Sequence, residues 1–405
     1  MRCLLALLVL LLASPALAVD IVVEVTTDGA DPIPGDGVCD DGAGNCTLRA
    51  AIQTANSLAG PDTVILNEGL YPLTLRRDTD LPDAQTGDLD VTSEITLVGA
   101  GNEGPCEGIA CTCIDGKKAK DRVFDVAATG DILLQDLIVK NGKAAKGDFN
   151  PTQFEEVSGG CIRVEGELHL DDVVLERCSS PDDGGCIGFT DGANGSLEDS
   201  FLDRCKTKDS GVGIEVDSAT LDVERVTIAN SKAAEGGGIE TTAGTLDLRN
   251  LTLSRNKAKL GGGLSAESDG NVSVNNATFF DNKAKEGARL FADELSQFMP
   301  IAISNSLLRA GGQELNCLGP LASQGGNVEN GVTCEFDQPT DCTDCNPSIV
   351  SDLLDNGGEV PTHAINQDSA AIDNGVDATC EATDARGAAR VGTCDAGTFE
   401  FNGVP

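Results

Sequence analysis

The chain has 405 residues, 66 of them Asp or Glu against 28 Lys or Arg, for a formal charge of −38. Such repulsion excludes a general nucleic-acid binder, and two histidines argue against a zinc centre built mainly on imidazole. One Tyr and no Trp weigh against a cleft that stacks sugar rings.

The chain opens Met1-Arg2-Cys3, runs apolar from Leu4 to Leu12 and continues to Ala16-Leu17-Ala18, the pattern of a secretory leader (1–18) cleaved after Ala18. The apolar run is too short to span a bilayer, and no later segment reaches that length. Cys3 precedes the run and is not placed as a lipidated N-terminus. Export implies an oxidising compartment, so the 15 remaining cysteines predict disulfides and one unpaired thiol. Proximity pairs Cys39–Cys46, Cys317–Cys334, Cys342–Cys345 and Cys380–Cys394, and leaves Cys106 to join either Cys111 or Cys113.

Residues 19–60 read as a cap: a strand over 21–25, an acidic turn-rich loop, then a helix over 46–56. Leu48, Ala51, Ile52 and Ala55 fall on one helical face and Thr47 suits the N-cap. The helix would cover the open end of the first coil of a strand repeat that begins near residue 61. The loop gathers Asp28, Asp31, Asp36, Asp40 and Asp41, oxygen donors that a hard cation favours, which makes calcium the one cofactor candidate, although the EF-hand spacing is absent. The run Cys46-Thr47-Leu48-Arg49-Ala50-Ala51-Ile52, with Asn56 after it, resembles the CSLREA-type N-terminal domain of secreted bacterial proteins. At position 50 that family has Glu, which removes a capping-box partner here.

Residues 61–310 read as coils of that repeat. Strands are predicted over 63–66, 95–98 and 123–126, with a two-strand phrase at 132–134 and 137–139 and protruding loops at 100–120 and 141–158, where a binding surface is expected. From 159 one phrase recurs, with apolar anchors Ile162, Ile187, Ile214, Ile239 and Leu264 separated by 25, 27, 25 and 25 residues. Each anchor follows a Gly-rich corner and precedes short alternating runs such as 246–248 and 251–253. Two-residue alternation without helical stretches, at this period, predicts an all-β, single-stranded right-handed parallel β-helix of the pectate-lyase-like kind. Cys178, Cys205, Asn256 and Asn282 occupy equivalent corners, where stacked Asn side chains can form an internal ladder. Matching positions in adjacent coils predict inter-coil disulfides Cys161–Cys186 and Cys178–Cys205. Lys206, Lys208, Lys232, Lys257, Lys259, Lys283 and Lys285 would align along one edge of the rod as a candidate contact for an anionic glycan; the plain alternative is a solvated corner.

Residues 311–405 change character. Cys317, 325–327, Cys334, 355–358, Thr362-His363, 370–373, Asp384-x-Arg386-Gly387 and Cys394-Asp395-x-Gly397 through Glu400 resemble the choice-of-anchor Q C-terminal domain, a module that usually precedes a cell-surface anchor. Phe401-Asn402-Gly403-Val404-Pro405 carries no sorting motif or hydrophobic tail, which points to release. Gly262-Gly263-Leu264 and Phe279-Phe280-Asp281-Asn282 are similar to repeats of polymorphic outer-membrane proteins, but no β-barrel follows.

The architecture as a class hosts polysaccharide lyases and hydrolases, whose hydrolytic chemistry needs two carboxylates across the glycosidic bond. The pairs Asp171-Asp172 and Asp182-Asp183 read more simply as turns. His169 alternates with Leu168 and Leu170 and faces outward; His363 orders a turn through hydrogen bonds. Cys342-Thr343-Asp344-Cys345 has metal or redox spacing, but a structural disulfide suits an oxidising compartment better. The expectation is a secreted, extracellular or surface-associated monomer, structural or adhesive, that contacts polysaccharide or cell-surface glycan and has no catalytic residues. The alternative is a divergent polysaccharide lyase or glycoside hydrolase.

Overall fold

The computed structural model describes residues 18–405 apart from 79–84, 103–110, 146–157, 191, 209–210, 268–269, 286–287, 294–299 and 312–314. The leader, Cys106, residues 103–110 of the first expected loop and most of the second lie outside the described residues. Within the first, Thr112–Asp115 is not a protruding loop but a largely buried strand paired with Gly69–Pro72 and Asp131–Lys140, because Cys113 and Ile114 belong to the stack. The chain winds as a parallel β-helix, and every strand pairing inside its three long sheets is parallel. The first sheet stacks, among others, Glu94–Val98, the 131–135 half of Asp131–Lys140, the 167–171 half of Glu167–Glu176, Asn194–Glu198, Thr220–Glu224, Thr245–Arg249 and Asn271–Asn275. The second stacks the far halves of the two long strands with Phe201–Asp203, Thr227–Ala229, Thr252–Ser254 and Thr278–Phe280. The third runs from Leu89–Val91 through Ile214–Asp217 and Ile239–Thr242 to Leu315–Leu318. Parallel pairing continues past 310, with Leu321–Gly325 on Ile301–Ser304 and Val328–Glu329 on Leu307–Arg309.

Alternation decides which side chains enter. In Thr245–Arg249, Leu246 and Leu248 are buried while Thr245, Asp247 and Arg249 face out, so in-register stacking builds continuous apolar columns such as Leu170, Leu197, Val223, Leu248, Val274 and Ile303. Bends between the first and second sheets sit on residues with φ near +50°: Asp136, Asp172, Asp199, Arg225, Asn250, Asn276 and Asn305. Asn and Asp tolerate this left-handed region best among residues with a side chain. Asp171-Asp172 is thus a turn, as its composition suggested. Where the repeat says Gly-Gly the reason is space as well as φ: at Gly236 (φ +55°) a Cβ would lie 2.3 Å from Cβ of Glu240.

The asparagine ladder is present and buried. Asn256 Oδ1 accepts from Ser231 N (3.0 Å), Asn282 Oδ1 accepts from Asn256 N (3.0 Å), and Asn256 and Asn282 Nδ2 donate to Ile228 and Leu253 carbonyls (2.8 and 2.7 Å). The cysteine pairing differs from the expectation. The bonds are Cys161–Cys178 and Cys186–Cys205, with Cα atoms 5.3 and 5.4 Å apart, each closing one coil across its corner. Equivalent residues of adjacent coils sit at a suitable distance, but in-register strands point their Cβ atoms in parallel, whereas Cys161 and Cys178 converge from opposite sides of the corner. Cys39–Cys46, Cys317–Cys334, Cys342–Cys345 and Cys380–Cys394 are bonded as their proximity predicted.

The helix runs Leu48–Ser57 and Thr47 caps it, its Oγ1 accepting from Ala50 N (3.1 Å) and donating to the Gly29 carbonyl (2.5 Å). It packs against the first coils, and all of Leu48 to Ala55 is buried, not one face alone. The acidic loop covers the other side: Asp31 N donates to Gln53 Oε1 (2.7 Å), and Arg49 is held by Asp28 (2.8 Å) and the Gly87 and Asp88 carbonyls. At the other end, the segment after Glu329 turns back along the outer side of the second sheet. Thr227 donates to the Pro361 carbonyl (2.8 Å), Thr398 meets Thr252 and Thr278 (3.0 and 2.9 Å), and Ser254 meets His363 (2.8 Å).

Candidate functional site

Successive coils place the lysines as the repeat predicted. Residue pairing at the corner runs Lys143, Ser179, Lys206, Lys232, Lys257, Lys283 without a break, at the roughly 4.8 Å rise of one coil. Lys208, Lys259 and Lys285 stand two residues on, forming a second row that Ala234 interrupts. All eight of these lysines are exposed, and none makes an ion pair among the described residues. The arginines behave differently: Arg225 is bound by Glu198, Asp199 and Glu224, and Arg249 by Asp222, Glu224 and Asp247. Positive charge on the first sheet is therefore neutralised, while the corner keeps its own. At one end the row widens into a groove of about 700 Å³ lined by Lys117, Lys120, Lys143, Lys206 and Lys208 with Ser179, Ser180 and Thr207, and among the described residues no acidic side chain lines it. Sequence reading missed Lys117, Lys120 and Lys143, because the irregular early coils hide their alignment.

A second feature was not anticipated. On the outer side of the third sheet, Glu215, Glu240 and Ser265 occupy one position of three consecutive coils. They lie beneath the Gly-rich corners and are 8, 4 and 0% exposed. Ser158 Oγ donates to Glu215 (2.6 Å) and Thr242 Oγ1 to Glu240 (3.1 Å). Burial, reinforced by Glu267, pushes the Glu240 carboxyl up to about 8; burial and Glu235 push Glu267 up to about 7. Carboxyls this far raised suit proton transfer at neutral pH, but Glu240 is closed off from a polymer. The available signal was a Glu in the same place of two repeats, directly after the Gly-x-Gly-Ile phrase.

The five aspartates of the acidic loop are occupied locally. Asp28 binds Arg49 and accepts from Thr74 N and Leu75 N; Asp31 accepts from Ile33 N, Asp36 from Val38 N, Asp40 from Gly42 N and Gly44 N, and Asp41 from Ala43 N and Asn45 N. These contacts lower the Asp41 carboxyl below its ordinary range, chiefly through the Ala43 amide. Each of these carboxylates helps to turn or fasten the chain locally.

His363 orders its surroundings as expected. It is 1% exposed, stacks on Phe280 at 4.1 Å, and reaches Ser254 and the Val350 carbonyl. Burial depresses it to about 4. His169 faces outward, half-buried, with Ser196 Oγ 2.6 Å from its Nδ1. Neither a comparison with protein-family models nor one with curated proteins finds a match.

Proposed function

We propose that the chain is an exported, monomeric, non-catalytic β-helix, structural or adhesive, whose lysine edge contacts anionic polysaccharide or cell-surface glycan. The observation that carries this reading is the run of four consecutive coils that place Lys206, Lys232, Lys257 and Lys283 in one column, exposed and without an ion pair among the described residues, on a chain of net charge −38. Lysines are used elsewhere to stop sheet edges from pairing, but this corner is already paired from coil to coil, so that explanation has no edge to protect. Like charges stacked one coil apart repel one another, and a polyanion laid along them removes that repulsion.

The disulfides and the resemblance of the two ends to CSLREA-type and choice-of-anchor-Q domains support an extracellular place for this role. No described helix is long and apolar enough to cross a membrane. Polysaccharide cleavage is the weaker reading. Its hydrolytic form needs two carboxylates at the polymer, and the described residues that line the groove beside the lysines include none.

The test is retention of the full mature chain on matched anionic and neutral polysaccharides, with product analysis of each polymer. Binding to the anionic members alone, released by about 1 M salt where screening is nearly complete, and no depolymerisation is the expected result. Equal retention on neutral polymers, or cleavage of any of them, contradicts the proposal.

A further inference from the structure

The outer side of the first sheet carries a group that the proposed role does not use. Glu167 and His169 are two residues apart on one strand, so both project from the same side. Asp131 lies directly beside Glu167 on the preceding coil. One ligand atom from each of the three falls within 4.8 Å of the others, and among the described residues this is the one such His, Cys, Asp and Glu trio. His169 Nε2 stands 3.6 Å from Asp131 Oδ1 and 3.8 Å from Glu167 Oε2.

These separations are informative. They are too long for hydrogen bonds, which close to roughly 2.7–3.2 Å. Yet donors held about 2.0–2.2 Å from a tetrahedral zinc ion stand about 3.3–3.6 Å from one another, so a modest closure of three half-exposed side chains completes the arrangement. The other ring nitrogen is already engaged. Ser196, at the position beside His169 on the next coil, places Oγ 2.6 Å from Nδ1. With that contact the serine holds the imidazole plane and leaves Nε2 to face the carboxylates, the usual arrangement around a metal-binding histidine. All four residues sit on adjacent, in-register strands, a stiffer mount than a loop. Two histidines in the whole chain had argued against a zinc centre; one imidazole with two carboxylates, plus solvent on the open side, is a sufficient set.

We infer that Asp131, Glu167 and His169 form a solvent-open site for a divalent transition ion of the zinc class, with Ser196 positioning the imidazole. The nitrogen donor separates it from a calcium site, which takes oxygen alone. The open positions leave room for water or an oxygen of a bound polymer. The inference does not rest on the lysine edge.

The experiment uses the chelator-stripped mature chain, titrated with zinc chloride by calorimetry and with cobalt(II) followed by its visible absorption. Parent protein and the His169→Ala, Asp131→Asn and Ser196→Ala variants are compared, with circular dichroism to verify folding. All three side chains are on the outside of the rod, so the coils should form in each. One equivalent is expected to bind the parent with a cobalt absorption band. That binding should be abolished in His169→Ala and Asp131→Asn and weakened about tenfold in Ser196→Ala. No stoichiometric binding to the parent, or binding within threefold of the parent in His169→Ala, overturns the inference.

Discussion

Ser254 Oγ and His363 Nε2, 109 residues apart in sequence, meet at 2.8 Å in a buried contact. The serine belongs to the second sheet of the coils and the histidine to the segment that folds back over it, so this pair fastens the two together. Burial holds His363 neutral, at about 4 against an ordinary 6.5. A depressed folded value means the unfolded chain takes up the proton first. The contribution to stability is therefore complete above about pH 6.5 and is lost as pH falls towards 4, amounting to roughly 3 kcal/mol there. Thermal unfolding of the parent and of His363→Ala between pH 7 and 4 measures it. The variant is expected to be about 2–3 kcal/mol less stable at pH 7, with early proteolytic release of the C-terminal segment, and to have the smaller acid dependence.

Glu240 gives the opposite slope. Its folded value of about 8 exceeds the ordinary 4.5, so the native state holds a proton that the unfolded state has lost. Stability from this group is complete below about pH 4.5 and declines as pH rises towards 8, by about 4 kcal/mol. Glu240→Gln keeps the shape of the protonated carboxyl. Denaturant unfolding at pH 5 and pH 8 should show this variant matching the parent at the lower pH and exceeding it at the higher.

The disulfides can be read chemically. Non-reducing peptide mapping should recover 161 joined to 178 and 186 joined to 205, with no 161–186 or 178–205 species. The double variant Cys161→Ser with Cys178→Ser should lose about 2–4 kcal/mol and leave Cys186–Cys205 intact.

The coils were legible because period and alternation are properties of the backbone, and the anchors from Ile162 to Leu264 announce both. The Asn256–Asn282 ladder and the lysine row were legible for the same reason: what recurs at a fixed position must stack. Partner choice was not. Cys161 has a neighbour at a suitable distance both along the stack and across the corner, and only the direction of Cβ decides between them. Thr227, Thr252 and Thr278 are buried beneath the returning C-terminal segment, a long-range contact that no local pattern records. Arg49 likewise gave no sign that it would be buried on Asp28. The Asp131, Glu167 and His169 trio escaped because Asp131 comes from the coil before the one that carries Glu167 and His169, in the irregular part of the repeat.

The most direct test of the central claim is a charge-removal variant of the lysine column, Lys206→Gln, Lys232→Gln, Lys257→Gln and Lys283→Gln together, assayed with the parent for binding to an anionic polysaccharide at low and high salt. These side chains are exposed and unpaired among the described residues, so the fold should be retained. The account predicts a loss of binding of at least about tenfold at low salt and a flatter salt dependence. Unchanged affinity and unchanged salt dependence in the folded variant would contradict it.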